Sequence, residues 1–105
     1  MKFRADYDAI EIDGHAGNKI VCAMVTALTV SLINNLQRIG DTPAYELREG
    51  YFRLIRRGLS IEGDILTDAF LYSIRGLMES YPDCFEKAVP EWADNPTMAQ
   101  LLQYA

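Results

Sequence analysis

The chain has 105 residues, of which half are hydrophobic, and a formal net charge of −5 at pH 7. This length and composition fit one compact domain with a single hydrophobic core. The acidic balance argues against a general nucleic-acid binder, because such proteins need an excess of basic side chains to neutralise phosphates.

Several features indicate the compartment. Charged side chains interrupt the start of the chain, so we expect no secretory signal peptide. The most apolar run, residues 20–33, is short and contains hydroxylated residues, so we expect no membrane span. Cys22 and Cys84 lie far apart and do not resemble a disulfide framework. We therefore predict a cytoplasmic protein with reduced thiols.

The first residues alternate between apolar and polar side chains. Phe3 and Ala5 alternate with charged neighbours, and Ile10 and Ile12 do the same after a turn near Tyr7-Asp8. A period of two is typical of half-buried strands. We predict a hairpin of two strands.

A different period follows and predicts a helix from about Lys19 to Ile39. Asn18 is a suitable N-cap, and Gly40 is a suitable C-terminal stop. Apolar residues recur at spacings of three and four: Val21, Val25, Leu28, Leu32, Leu36 and Ile39. The first half of the helix is apolar nearly all round. We therefore expect it to be buried on more than one side, by the sheet and by a partner chain.

A second strand pair and a second helix complete the pattern. Alternating residues predict strands over 43–48 and 51–56, joined by the turn at Glu49-Gly50. Ser60 can cap a second helix that ends before Pro82.

The predicted fold class is α+β, in the order β-β-α-β-β-α. We expect a four-stranded, largely antiparallel sheet with two helices on one face. Asn95-Pro96 predicts the start of a short C-terminal helix. We expect a single domain over residues 1–105.

The stretch GHAGNKIVCA, residues 14–23, contains the chain's single histidine, His15, and Cys22. His15 ends a predicted strand and Cys22 falls in the first turn of the predicted helix, so a short loop can bring the two side chains together. Histidine can then take the thiol proton and return it to a leaving amine. The start of the helix offers N–H groups for an oxyanion. Gly14 and Gly17 leave room for a substrate backbone.

Other interpretations remain open at this point. A cysteine on an apolar helix is usually a packing residue, and a single loop histidine is usually solvated. A zinc site would need more ligands than His15, Cys22 and Cys84 provide. We therefore expect no metal and no cofactor.

The residues GHA at 14–16 and IVCAMVTAL at 20–28 resemble the signature of the ribosomal-processing cysteine protease family, Prp. That family carries a GHA triplet, a loop and a helix that begins IVCAAVSAL. The preceding strand pair, the turn at Glu49-Gly50 and the helix end at Tyr81-Pro82 also follow the family order. The resemblance covers residues 2–85, which would form the core of the domain. Residues 86–105 would then be a C-terminal extension of that core.

The resemblance implies a homodimeric cysteine endopeptidase with Cys22 as nucleophile and His15 as general base. Its substrate would be the precursor of a large-subunit ribosomal protein, which loses an N-terminal extension, or a phage structural protein. The family serine one turn after the cysteine corresponds to Thr26, which keeps the hydroxyl. Gly14, Ala16, Gly17 and Lys19 would support the site or the substrate.

Two departures from the family pattern favour a second hypothesis. The loop between His15 and Cys22 is shorter than usual, and Lys19 stands where the family usually has aspartate. A positive charge near Cys22 favours its thiolate, but it has the wrong sign for the start of a helix. The alternative is a catalytically impaired family member that acts as a dimeric protein-binding module.

Overall fold

The computed structural model describes residues 1–86. Four strands, two long helices and one short 3₁₀ turn follow each other along the chain. Their bounds are β1 (Lys2–Ala5), β2 (Ala9–Asp13), α1 (Lys19–Arg38), β3 (Tyr45–Arg48), β4 (Tyr51–Ile55), α2 (Ile61–Ser80) and a 3₁₀ turn at Pro82–Cys84. The predicted element order and α+β class are confirmed.

The strands form one sheet in the order β1-β2-β4-β3, and every neighbouring pair is antiparallel. Both predicted hairpins are present. The two central strands, β2 and β4, come from different hairpins. Their register pairs Asp13 with Tyr51, so the end of β2 meets the turn between β3 and β4.

The core lies on one face of the sheet. The register aligns Phe3, Ile12 and Phe52 across three strands, and all three are buried. The helices α1 and α2 pack against each other and cover this face. Leu36 of α1 and Ile74 of α2 are fully buried there. Alternate strand residues therefore point into the core, as their period predicts.

The helix ends follow the capping signals in the sequence. The side chain of Asn18 accepts hydrogen bonds from the N–H groups of Ile20 and Val21. Ser60 accepts from the N–H of Gly63 at 3.0 Å and donates to the carboxylate of Asp41 at 2.9 Å. The second cap is therefore tied to the loop that follows α1.

The edge strand and one side of the first helix are exposed in the described structure. All four residues of β3 are exposed, including Tyr45 and Leu47, because this strand lies at the edge of the sheet. The outer side of α1 is also exposed: Ile20 is 64% accessible and Val30 is 39% accessible. The sheet and α2 cover one side of α1, and among residues 1–86 its outer side is uncovered. The partner chain expected on that side stays a prediction.

Helix α1 is long and apolar enough to cross a membrane by length and composition. Residues 20–33, from whose length and hydroxylated residues we expected no membrane span, are only part of this helix. Val21, Val25, Leu32 and Leu36 of this helix are buried in the core. A core helix of a globular domain passes the same test of length and composition.

The predicted C-terminal helix near Asn95-Pro96 lies outside the described residues. At the end of the described part, Phe85 is buried and the N–H of Glu86 donates to the carbonyl of Met1 at 2.9 Å. The division into a core and an extension stays a prediction.

Replacing Ser60 by alanine should lower the free energy of unfolding by about 1–2 kcal/mol, because the N-cap of α2 and its link to Asp41 are lost. Urea unfolding measures the change. Ser73→Ala is the matched control, since Ser73 is exposed and bonds only its own helix at Ala69, and it should change stability by less than about 0.5 kcal/mol. Equal effects of the two substitutions would contradict this role of Ser60.

Candidate active site

A cavity of about 440 Å³ opens between the end of β2, the β3–β4 hairpin and the first half of α1. His15 and Cys22 both line it, so the fold brings together the two residues that the sequence singled out. The other lining residues are Met1, Ile12, Gly14, Val25, Thr26, Thr29, Leu47, Arg48, Glu49, Gly50, Tyr51 and Phe52.

The Cys22 thiol is partly buried, and its sulfur accepts a hydrogen bond from the N–H of Ala16 at 3.3 Å. This donor comes from the loop between β2 and α1. A backbone N–H that faces a sulfur stabilises negative charge on it. The bond also fixes the loop against the helix, so Ala16 supports the site through its backbone.

Three N–H groups at the start of α1 are already occupied, so they are not free to serve as the predicted oxyanion donors. Asn18 binds the N–H groups of Ile20 and Val21 through its side chain, and the N–H of Cys22 through its carbonyl at 3.0 Å. Cys22 is therefore the fourth helical residue, beyond the unpaired first turn. The cap that stabilises the helix removes these donors from the site.

The imidazole of His15 is packed against Gly50 in the β3–β4 turn. Gly50 has φ +71°, and a Cβ placed on it would lie 2.8 Å from Nε2 of His15. The backbones also meet, since the N–H of Gly14 donates to the carbonyl of Gly50 at 2.8 Å. The carbonyl of His15 accepts from the amino group of Met1 at 3.2 Å. The hairpin turn therefore holds His15 in position.

Within residues 1–86, no hydrogen bond joins the ring of His15 to the sulfur of Cys22, although both side chains face the same cavity. Catalytic hydrogen bonds are often long in a free enzyme and tighten when substrate binds.

The other residues predicted for the site fall into two groups. Gly14 and Thr26 line the cavity. Thr26 also accepts a hydrogen bond from Thr29 through its carbonyl at 2.9 Å. Gly17 and Lys19 do not line the cavity, and Lys19 is exposed at the first position of α1.

Sequence reasoning missed the wall of the cavity formed by residues 47–52. The sequence pattern identified Glu49-Gly50 only as a turn. The pairing of β2 with β4, which brings this turn to the cavity, joins strands of two different hairpins, and local residue spacing does not predict such a pairing. On the face of the sheet away from the helices, this wall carries polar side chains. Tyr51 donates to the carboxylate of Glu11 at 2.8 Å, and this hydrogen bond raises the pKa of Tyr51. The guanidinium of Arg48 lies 4.3 Å from the centre of the Tyr51 ring.

Metal ligands do not gather in the part of the chain that the structure describes: no three His, Cys, Asp or Glu side chains come together there. Cys84 is partly buried in the 3₁₀ turn, and its carbonyl accepts from the amino group of Met1 at 3.1 Å. It is not among the residues that line the cavity with His15 and Cys22.

Solved structures that are similar to this fold include the following two. One is the essential ribosomal processing protease Prp from S. aureus, in complex with a covalently linked product peptide. It has 19% sequence identity and a TM-score of 0.69, with 81% of this chain and 92% of that chain covered. The other is SMU.848 from Streptococcus mutans, with 28% identity, a TM-score of 0.68, and 81% and 90% coverage. A comparison with curated proteins found no match.

The family described as cysteine protease Prp matches residues 1–86, which are the residues that form the fold and the cavity described above. The chain therefore belongs to the cysteine protease Prp family.

Proposed function

We propose that the cavity is the catalytic site of a cysteine endopeptidase, with Cys22 as nucleophile and His15 as general base and acid. One observation carries the assignment: both side chains line one cavity, and a backbone N–H already points at the sulfur. Family membership supports the class of chemistry, and the geometry supports the choice of residues.

The mechanism follows from these positions. His15 takes the proton of the Cys22 thiol, and the sulfur attacks the scissile carbonyl carbon. The carbonyl oxygen becomes an oxyanion, and the N–H of Ala16, which donates to the sulfur at 3.3 Å in the free chain, is a donor within reach of it. The C–N bond breaks as His15 gives its proton to the leaving amine. Water, deprotonated by His15, then hydrolyses the thioester and restores the thiol.

The substrate would be a protein. The S. aureus structure in the same fold contains a covalently linked product peptide. The sequence resemblance favours the precursor of a large-subunit ribosomal protein, cut after its N-terminal extension, and a phage structural protein is the other substrate that it implies. Neither a metal nor a cofactor takes part in the proposed steps. Direct binding of nucleic acid or membrane forms no part of the proposal, and a cytoplasmic location stays a prediction.

A second candidate function is a dimeric binding module that no longer cuts. Its support is specific to this chain: the loop between His15 and Cys22 is short, and the two side chains share a cavity without a hydrogen bond among the described residues. Cleavage by the wild-type chain would exclude it.

A homodimer through α1 fits the exposed face of that helix. Ile20, Ala23, Ala27 and Val30 recur at spacings of three and four, so they share one side, and all four are exposed. A helix face of small and apolar residues can pack closely against a second copy.

Cys22→Ala should abolish cleavage, with a loss of at least about 10³-fold, because no other residue of the site can form the thioester. The assay incubates the chain with a ribosomal protein precursor that carries its N-terminal extension, and with a phage structural protein, and maps new N-termini by mass. Cys84→Ala is the matched control and should keep activity, since Cys84 does not line the cavity. Full cleavage by Cys22→Ala would refute the assignment.

Gly50→Ala should lower kcat by about tenfold or more with little change in KM, because the new Cβ displaces His15, the proposed base. Gly58→Ala is the matched control: Gly58 also has positive φ, +89°, but a Cβ there meets nothing within 4 Å. Both variants therefore carry the same backbone strain.

The chain has one histidine, so its NMR signal reports the ring of His15 directly. Gly50→Ala should shift this signal, and Gly58→Ala should leave it unchanged. Identical spectra and rates for the two variants would show that Gly50 does not position His15.

Ala27→Glu should convert the dimer to a monomer, because it places a charge in the centre of the proposed α1 interface. Light scattering distinguishes a mass of 11.9 kDa from twice that mass. Ser80→Glu adds the same charge at the exposed end of α2 and should leave the dimer intact. A wild-type chain that is monomeric at micromolar concentration would contradict an α1 interface.

A further inference from the structure

The outer edge of β3 is an unpaired strand edge within the described residues. β3 is the last strand in the sheet order, and its only strand partner among residues 1–86 is β4. The carbonyl of Ala44 accepts from the N–H of Ile55 at 2.9 Å, so the backbone of Ala44 faces β4. In an antiparallel ladder, alternate residues face the partner. The N–H and C=O groups of Tyr45 and Leu47 therefore point outward.

The side chains of this edge differ on the two faces of the sheet. Glu46 and Arg48 lie on the open face and pair with each other at 3.4 Å. Tyr45 and Leu47 lie on the face that the helices cover elsewhere, because they pair with the buried Leu54 and Phe52. They are nevertheless 43% and 41% accessible. Proteins normally protect strand edges with charge or proline, and here only the open face carries charge.

The edge leads directly into the candidate active site. Leu47 belongs both to β3 and to the wall of the cavity that contains His15 and Cys22. A chain that lies along β3 would therefore run past the Leu47 wall of this cavity. Four strand residues span roughly 13 Å, which is the length of a short extended peptide.

We propose that the edge of β3 binds the substrate chain as an additional strand and so delivers its scissile bond to Cys22. This inference rests on the proposed function and deepens it. Backbone hydrogen bonds to Tyr45 and Leu47 supply affinity, as in other cases of strand addition. Side chains at every second substrate position then lie beside Tyr45 and Leu47, so the edge selects an extended segment with apolar residues at alternate positions.

The test measures the rate at which Cys22 is alkylated, which does not require cleavage. The probe is a tetrapeptidyl chloromethyl ketone with apolar residues at alternate positions. Two further versions carry a methyl group on one or the other of two neighbouring backbone amides. Iodoacetamide measures the intrinsic reactivity of the thiol, and a Cys84→Ala background leaves Cys22 as the single thiol.

Strand addition predicts an alternating effect of methylation. Only every second amide of an added strand faces β3, so one methyl group should slow alkylation by about 3- to 10-fold and the other should change it little. Equal rates for the two methylated probes, or a peptide ketone that reacts no faster than a single-residue chloromethyl ketone, would overturn the proposal. This comparison is made on a chain with an unchanged β3, so its result does not depend on whether a β3 variant folds.

A pair of variants tests whether the outward N–H of Leu47 in β3 binds the peptide. Leu47→Pro removes the outward N–H, and proline is tolerated on an edge strand where the N–H faces away from the partner. Leu47→Ala removes the same side chain but keeps the N–H. The rate of alkylation by the peptide ketone is divided by the iodoacetamide rate of the same variant. This ratio should be about 3- to 10-fold lower for Leu47→Pro than for Leu47→Ala.

Equal values of this ratio in the two variants would overturn the proposal. A change of oligomeric state in Leu47→Pro without a change in the ratio would also overturn it, since a second copy would then occupy the edge. A chain that shows the alternating methylation effect but cleaves no protein would refute the proposed protease activity and leave the binding edge intact.

Discussion

The pairing of β2 with β4 is the constraint on which the site depends. These strands belong to different hairpins, and their antiparallel register brings the end of β2 to the turn between β3 and β4. The hydrogen bond of 2.8 Å from the N–H of Gly14 to the carbonyl of Gly50 extends that pairing beyond the strands. His15 follows at once, and its ring rests on the one turn residue without a side chain. A slip of the register would separate the histidine from the cavity.

Stability and catalysis compete for the same backbone groups at the start of α1. Asn18 accepts hydrogen bonds from three N–H groups there, including that of Cys22. These bonds stabilise the start of a helix whose first residue is Lys19 and whose first turn has no acidic side chain to interact with the helix dipole. These three donors are then unavailable to an oxyanion. The loop provides one instead, because the N–H of Ala16 points at the sulfur. The short loop between His15 and Cys22 thus serves as part of the proposed catalytic machinery, in addition to connecting two elements.

Much of the fold could be predicted from the sequence, because its signals are local. Alternation defined the strands, and Asn18, Gly40, Ser60 and Pro82 marked the helix ends that the structure contains. What the sequence could not predict depends on contacts between distant segments. The order of the strands exposes Tyr45 and Leu47 although they alternate like core residues, and it places Gly50 beside His15. For the site, the motif identified His15 and Cys22, while their surroundings followed only from the topology.

The central claim is that His15 and Cys22 act as one pair. Its most direct test is the rate of Cys22 alkylation by iodoacetamide as a function of pH, in a Cys84→Ala background, with and without His15→Ala. If the pair forms, the chain that keeps His15 reaches a given alkylation rate in less alkaline solution than the His15→Ala chain, because a neighbouring imidazole favours the thiolate. Superimposable pH profiles for the two chains would show that the histidine does not activate the thiol and would contradict the account.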